Sequence, residues 1–123
     1  MSGQAILWVA AGGALGAVAR YLAGFLLKTA SGFPWATMSV NIVGSLLMGL
    51  VIGWLSRQSA GYETLRLFLA VGILGGFTTF SAFSMDLFTL IEKRDMAAMM
   101  LYLGGSLAGG LLAFIIGFMG LRA

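Results

Sequence analysis

The sequence contains no cysteine, no histidine and a single proline among its 123 residues. The chain therefore has no thiolate or imidazole nucleophile, no disulfide and none of the usual side chains that bind zinc or haem. Acidic residues are also scarce, since only Glu63, Asp86, Glu92 and Asp95 are present. This set offers no nucleophile–base pair and no group of metal ligands, so we expect that the protein is not an enzyme.

Apolar residues dominate what is present. Hydrophobic residues make up 60% of the chain and charged residues 9%, and the mean hydropathy is +1.02. Soluble domains carry roughly a quarter charged residues, so this composition indicates an integral membrane protein. The net charge of +3 is modest, and without a basic tail we expect no nucleic-acid partner. The apolar stretch after Met1 lacks the basic start of a signal peptide, so we interpret it as a retained first helix.

Four apolar segments are long enough to cross a bilayer, which requires about 20 residues. The predicted spans cover residues 4–27, 35–55, 66–91 and 96–121. Pro34 directly precedes the second span, where a proline suits the start of a helix. Because only short loops remain, the sequence predicts an all-α integral membrane protein. We expect all 123 residues to form a single four-helix transmembrane domain.

The third span contains the stretch around which the other spans are organised, residues 72–84, with the sequence GILGGFTTFSAFS. Its closely spaced glycines and the pair Thr78-Thr79 lower the helix propensity inside an apolar segment. Backbone groups freed at membrane depth are tolerated only where protein buries them or where they line a polar cavity. We therefore predict that this helix is broken in mid-membrane, between Gly75 and Thr79, and that the break forms an ion path or an ion site.

The charges of the loops do not favour one orientation in the membrane. An even number of spans places both termini on one side, and the basic residues divide evenly: Arg57, Arg66 and Arg122 on that side, Lys28, Lys93 and Arg94 on the other. The Lys/Arg bias normally fixes orientation. Either a few positions near the helix ends decide it here, or copies insert in both directions and pair antiparallel, as inverted repeats do in larger transporters.

Glycines spaced at four residues predict close packing of the helices. The sequence has such spacings in every span: Gly12/Gly16, Gly49/Gly53, Gly72/Gly76 and Gly105/Gly109. Four short helices hardly enclose a conduit alone, so we expect at least a dimer.

Two polar residues interrupt the first and second spans. Arg20 is either an arginine that reaches to the interface and anchors the helix, or a positive charge that attracts anions at a vestibule. Asn41 shares a helical face with Ser45 and Met48. Because a buried amide needs partners, Asn41 makes either a structural hydrogen bond between helices or a donor that lines a pore.

Aromatic and hydroxyl side chains alternate after the glycines of the third span. Phe80 and Phe83 follow Phe77 at three-residue spacing, and hydroxyl residues lie between and after them: Thr78, Thr79, Ser81 and Ser84. The edge of a phenyl ring carries partial positive charge, so these groups and the Asn41 amide offer donors to a dehydrated anion without a buried cation. Carbonyls freed at the break offer the alternative of a small cation site. In the fourth span, Tyr102 and Ser106 lie one turn apart and make either local hydrogen bonds or a further part of the polar path.

These motifs resemble the Fluc (CrcB) family of microbial fluoride channels over essentially the full length of the chain. The resemblance rests on a Gly-x-x-x-Gly-x-x-x-Arg run from Gly12 to Arg20, an Asn-x-x-Gly-Ser run from Asn41, and Gly-Gly-Phe-Thr-Thr-Phe-Ser-x-Phe from Gly75 to Phe83. The one departure we find is Ala82, where the family often has threonine.

The resemblance implies an antiparallel, dual-topology homodimer in the bacterial inner membrane, with two pores that export cytoplasmic fluoride passively and so prevent its toxicity. Asn41, Phe80 and Phe83 would line the pores, and Arg20 would shape the vestibule. The polar track would consist of Thr79, Ser81, Ser84, Tyr102 and Ser106. Backbone carbonyls near Gly75 and Thr78 of both subunits would hold a structural sodium ion on the two-fold axis.

Two other classes of membrane protein compete with this interpretation. A small dual-topology transporter for multiple drugs also has four short helices, but proton-coupled export generally needs a carboxylate inside the membrane. Asp86 is near the end of its span, and the other spans contain no acid. A non-conducting subunit of a larger complex would explain the glycines but not the alignment of asparagine, phenylalanine and hydroxyl groups.

Overall fold

The computed structural model describes residues 2–122, and every regular element among them is helical. Four stretches are long and apolar enough to cross a membrane, as the composition predicts: Gly3–Leu26 (α1), Trp35–Leu55 (α2), the third span Glu63–Glu92 and Met96–Arg122. Each bound lies within three residues of the predicted one, and the largest difference is the start of the third span, Glu63 instead of residue 66.

The third span is assembled from several pieces. In chain order these are α3 (Glu63–Arg66), a π-helix (Leu67–Leu74), α4 (Gly75–Phe77) and α5 (Phe80–Glu92), and the last helix of the chain, Met96–Arg122, is α6. Thr78 and Thr79 separate α4 from α5, and both have extended backbone, with ψ angles of 155° and 122°. We call residues 63–77 the first arm of this span and α5 the second arm.

The helices pack as two pairs, α1 against the first arm and α2 against α6. In the first pair, a Cβ atom on Gly12 would lie 2.5 Å from the Phe68 carbonyl oxygen, and one on Gly76 would lie 2.6 Å from that of Gly13. In the second pair, a Cβ atom on Gly117 would lie 2.5 Å from the Leu46 carbonyl oxygen. Glycine is required at these positions because the neighbouring atoms belong to backbone.

The glycines of the third span do not themselves interrupt the helix. Gly72 and Gly76 have helical backbone, and the two extended residues follow them. Close approach to α1 explains these two glycines, because Cβ atoms on Gly72 and Gly76 would both meet backbone of α1. The interruption itself depends on Thr78 and Thr79 and on the groups that bind them.

Candidate functional site

Asn41 on α2 pairs with the backbone of the interruption at two points. The Thr79 N–H donates to Asn41 Oδ1 at 2.8 Å, and Asn41 Nδ2 donates to the Thr79 carbonyl at 3.0 Å. The amide thus satisfies both main-chain groups of Thr79, as a neighbouring strand would. A carboxamide carries two N–H groups, so one N–H of Asn41 remains to serve another acceptor.

The threonines of the interruption use their hydroxyl groups differently. Thr79 Oγ1 accepts from the Ala82 N–H at 3.1 Å and so caps the N-terminus of α5. Thr79 Oγ1 also lies 3.3 Å from the hydroxyl oxygen of Ser81. The Thr78 hydroxyl donates to the Leu74 carbonyl at 3.0 Å. Its proton is therefore occupied, and Thr78 has no hydroxyl donor left for an anion.

Arg20 on α1 binds the other end of the interruption. Its Nε donates to the Gly76 carbonyl at 3.2 Å. In a continuous helix the Gly76 carbonyl would accept from the N–H of Phe80, which here lies beyond the two extended residues. The carbonyl of Gly75 loses its helical partner in the same way, because the Thr79 N–H donates to Asn41 instead.

A groove of about 290 Å³ runs beside the interruption, between α2, α5 and α6. The described residues that line it carry no charge: Asn41, Gly44, Ser45, Met48, Thr78, Thr79, Phe80, Phe83, Ser106, Leu107 and Phe114. Ser106 is 8% exposed, and its hydroxyl has no hydrogen-bond partner among residues 2–122. A buried hydroxyl without a partner costs free energy, so its place at the wall of a groove indicates a site for an acceptor.

Phe80 and Phe83 line this groove side by side. The rings of Phe80 and Phe83 have centroids 5.8 Å apart and are tilted by 46°. Phe83 is 5% exposed and packs against Tyr102 at a centroid distance of 5.1 Å, whereas Phe80 is 76% exposed. The groove thus has one fixed aromatic wall and one ring that has few neighbours within a single subunit.

The groove includes five of the residues predicted for the pore and its polar track: Asn41, Thr79, Phe80, Phe83 and Ser106. Ser81 and Ser84 are exposed and do not line it. Tyr102 is fully buried beneath the ring of Phe83, and its hydroxyl donates to Asp86 Oδ2 at 3.0 Å. The Tyr102 hydroxyl is therefore hydrogen-bonded to a carboxylate and does not line the groove.

Arg20 lines a second cavity of about 290 Å³, together with Tyr21, Thr37 and Val40. Thr79 borders both this cavity and the groove. The interruption is therefore the point at which the two cavities approach each other.

Sequence reasoning left Ser45, Met48 and Phe114 out of the predicted site. Ser45 and Met48 follow Asn41 on one face of α2, and this helical spacing could have included them. Phe114 lies two turns after Ser106 on α6, so its place at the groove depends on how α6 packs against α2.

Comparison with known proteins identifies a family that this chain resembles along most of its length. The sequence model of the family described as "CrcB-like protein, Camphor Resistance (CrcB)" matches residues 7–118. A protein of Sphingopyxis alaskensis named "Fluoride-specific ion channel FluC" is 55% identical over 107 residues, 85% of each chain. Proteins of the same name from Novosphingobium aromaticivorans and Phenylobacterium zucineum are 47% and 50% identical over 117 residues, covering 92% and 93% of this chain and 92% of each relative. The chain therefore belongs to the CrcB family.

Proposed function

We propose that the protein is a passive, fluoride-selective ion channel that lets fluoride leave the cytoplasm of a bacterium through its inner membrane. The observation that carries this proposal is the uncharged groove beside the interruption, where the buried Ser106 hydroxyl has no partner among the described residues. The similar proteins named above as fluoride-specific ion channels support the same ion.

The donors of the groove suit a small, strongly hydrated anion. Asn41 retains one N–H, Ser106 retains its hydroxyl proton, and the edges of the rings of Phe80 and Phe83 carry partial positive charge. Such neutral donors replace part of the hydration shell without holding the ion as tightly as a buried lysine or arginine would. Conduction needs this balance, because an ion must both enter and leave each site.

The conducting unit in this proposal is an antiparallel homodimer. Phe80 lines the groove but is 76% exposed in one subunit, so its ring is free to contact a second subunit. The even division of basic residues between the two sides permits insertion in both orientations. In the dimer each subunit contributes a phenylalanine to the groove of the other, which gives two separate routes for fluoride.

A structural sodium ion on the two-fold axis would be held by the carbonyls of Gly75 and Thr78. The chemistry of these donors fits, because carbonyl oxygens are hard ligands and that of Gly75 has lost its helical partner to Asn41. One subunit alone offers too few oxygens, so the site would need both subunits. Its positive charge would hold the two interruptions together. Among residues 2–122 no cluster of acidic side chains competes for a metal.

The alternative of a proton-coupled transporter is less consistent with the geometry. Such a transporter needs a carboxylate on the path of its substrate. Asp86 is the one acidic residue among residues 67–91. It accepts a hydrogen bond from the Tyr102 hydroxyl and does not line the groove. A non-conducting subunit would leave the unpartnered Ser106 hydroxyl without a role.

Fluoride efflux from liposomes that contain the purified protein tests the proposed function. A fluoride-selective electrode would follow release after the membrane potential is clamped, and the same vesicles loaded with chloride would serve as the control. We expect rapid release of fluoride and retention of chloride. Retention of both ions by a verified, folded dimer would contradict the proposal and favour a subunit without a conducting role.

A further inference from the structure

The interruption of the third span is held from two sides by two different helices. Asn41 on α2 binds the main chain of Thr79, just before the second arm. Arg20 on α1 binds the carbonyl of Gly76, in the last turn of the first arm. The two contacts lie on opposite sides of Thr78, so together they fix where the first arm ends and the second begins.

Arg20 makes this contact through Nε and not through a terminal nitrogen. The Gly76 carbonyl is one of the orphan acceptors at the end of a helical segment, and burying it without a donor would cost free energy. A positive side chain at the C-terminal end of a helix also interacts favourably with the helix dipole. Both effects bind Arg20 to the first arm.

Close packing of α1 against α4 fixes the backbone next to Arg20. Four residues before it, a Cβ atom on Gly16 would lie 2.8 Å from the main-chain nitrogen of Phe77, so α1 and α4 are already in close backbone contact there. The ion pair found among the described residues joins Arg66 and Glu63, so none of their carboxylates lies within ion-pair distance of Arg20. The polar contact of Arg20 within its subunit is thus with the interruption itself.

We propose that Arg20 is a positioning residue for conduction, and not a charge that collects anions at a vestibule. Its Nε–H holds the end of the first arm, so that Thr79 and Phe80 meet the groove in the conducting arrangement. This inference rests on the fluoride conduction proposed above. It differs from the role that the family resemblance implies for Arg20, because it depends on the hydrogen bond and not on the charge.

Two uncharged variants separate the hydrogen bond from the charge. In R20Q the side-chain nitrogen is separated from the backbone by the same number of bonds as Nε of arginine, so glutamine can still donate to the Gly76 carbonyl. In R20M the side chain has similar length but no donor. Both variants lose the positive charge equally. R57M serves as the control, because Arg57 is exposed and its Nη1 donates to the Leu121 carbonyl at 3.5 Å, outside the groove.

Fluoride flux of each reconstituted variant would be measured over a range of fluoride concentrations and at low and high ionic strength. We expect R20M to lower the maximal flux at least about tenfold, as the loss of a hydrogen bond from a charged donor to a part-buried acceptor predicts. R20Q should recover most of that loss, and R57M should match the wild type. Because positioning does not depend on ion collection, the loss in R20M should persist at saturating fluoride and at high salt.

Equal losses in R20Q and R20M that disappear at saturating fluoride would overturn the inference, since a collecting charge acts on encounter and is screened by salt. If R20M does not form a folded dimer, R20Q still decides. Wild-type flux from low to saturating fluoride supports positioning by the hydrogen bond, and a loss of flux in R20Q, at low fluoride or throughout, contradicts it. Absence of flux in the wild type would instead contradict the proposed function.

Discussion

At the scale of single residues, the polar side chains in and beside the groove differ in how many hydrogen-bond donors they have left. The hydroxyl groups of Thr78 and Tyr102 donate hydrogen bonds to the Leu74 carbonyl and to the Asp86 carboxylate. Asn41 uses one N–H and its oxygen in hydrogen bonds to the Thr79 backbone. The Ser106 hydroxyl has no hydrogen-bond partner within the described chain. Free donors, and not polarity in general, therefore mark the residues that we expect to contact the ion.

The Ser106 hydroxyl allows a direct test of this distinction. We expect S106A to lower fluoride flux at least about tenfold, because a hydrogen bond to a charged acceptor contributes about 1.5–3 kcal/mol. Stability should not fall, since the hydroxyl has no partner among residues 2–122. Flux and thermal unfolding of S106A would be compared with those of T89V, which removes a hydroxyl bonded within its own helix. Equal flux in S106A and T89V would remove Ser106 from the ion path.

The exposed ring of Phe80 gives a second residue-scale prediction. F80I keeps apolar bulk but removes the partially positive ring edge, so fluoride flux should fall at least about tenfold while the dimer stays intact. Phe88 is also exposed on α5, at 61%, but does not line the groove, so F88I is the matched control. Liposome flux and the elution volume of the detergent-purified dimer would be measured for both. Undiminished flux in F80I would contradict a role for the ring edge.

At the scale of helices, glycines set how closely the spans approach, and their spacing predicts only part of this. Gly12, Gly49 and Gly72 face backbone of a neighbouring helix, as the four-residue spacings predict. Gly105 and Gly109 meet only side chains, of Met38 and Ile42. A spacing of four residues brings glycines to one face of a helix, but the sequence does not say what packs on that face.

Two glycines of α6 provide a matched test of helix packing. A Cβ atom on Gly117 would lie 2.5 Å from the Leu46 carbonyl oxygen, whereas nothing lies within 4 Å of one on Gly104. We expect G117A to destabilise the protein by about 1–3 kcal/mol, because α2 and α6 must move apart. G104A should be neutral within a single subunit. Thermal unfolding of both variants in detergent would measure the difference, and equal midpoints would contradict the packing of α2 against α6.

The sequence predicts the elements better than it predicts their contacts. Hydropathy locates the four spans because about 20 apolar residues are needed to cross the bilayer. The sequence does not predict the π-helix at Leu67–Leu74, which packs against Gly12 and Gly16 of α1. The sequence leaves open that Tyr102 makes a hydrogen bond, but it does not predict Asp86 as the partner, because that depends on how α5 and α6 align in three dimensions. Asn41 was identified as a candidate, but its pairing with Thr79 required the fold.

At the scale of the whole molecule, the balance of charge permits insertion in both orientations, which the proposed antiparallel dimer requires. Because the natural chain contains no cysteine, a single introduced cysteine can be labelled cleanly. Ser59 is exposed between α2 and α3, and Ala30 lies in the loop at the opposite end of the bundle. In dual topology, an impermeant maleimide added outside intact cells should label about half of S59C and about half of A30C, since each loop faces each side equally often. Complete labelling of one variant and none of the other would establish a single orientation.

The central claim, passive conduction of fluoride, is tested most directly by the electrical dependence of fluoride release. Vesicles containing the protein would be loaded with potassium fluoride, and release would be recorded with and without valinomycin and with and without a pH gradient. A channel carries net charge, so we predict release that requires valinomycin and ignores the pH gradient. Release that proceeds without valinomycin and follows the pH gradient would show coupled transport and would contradict the account.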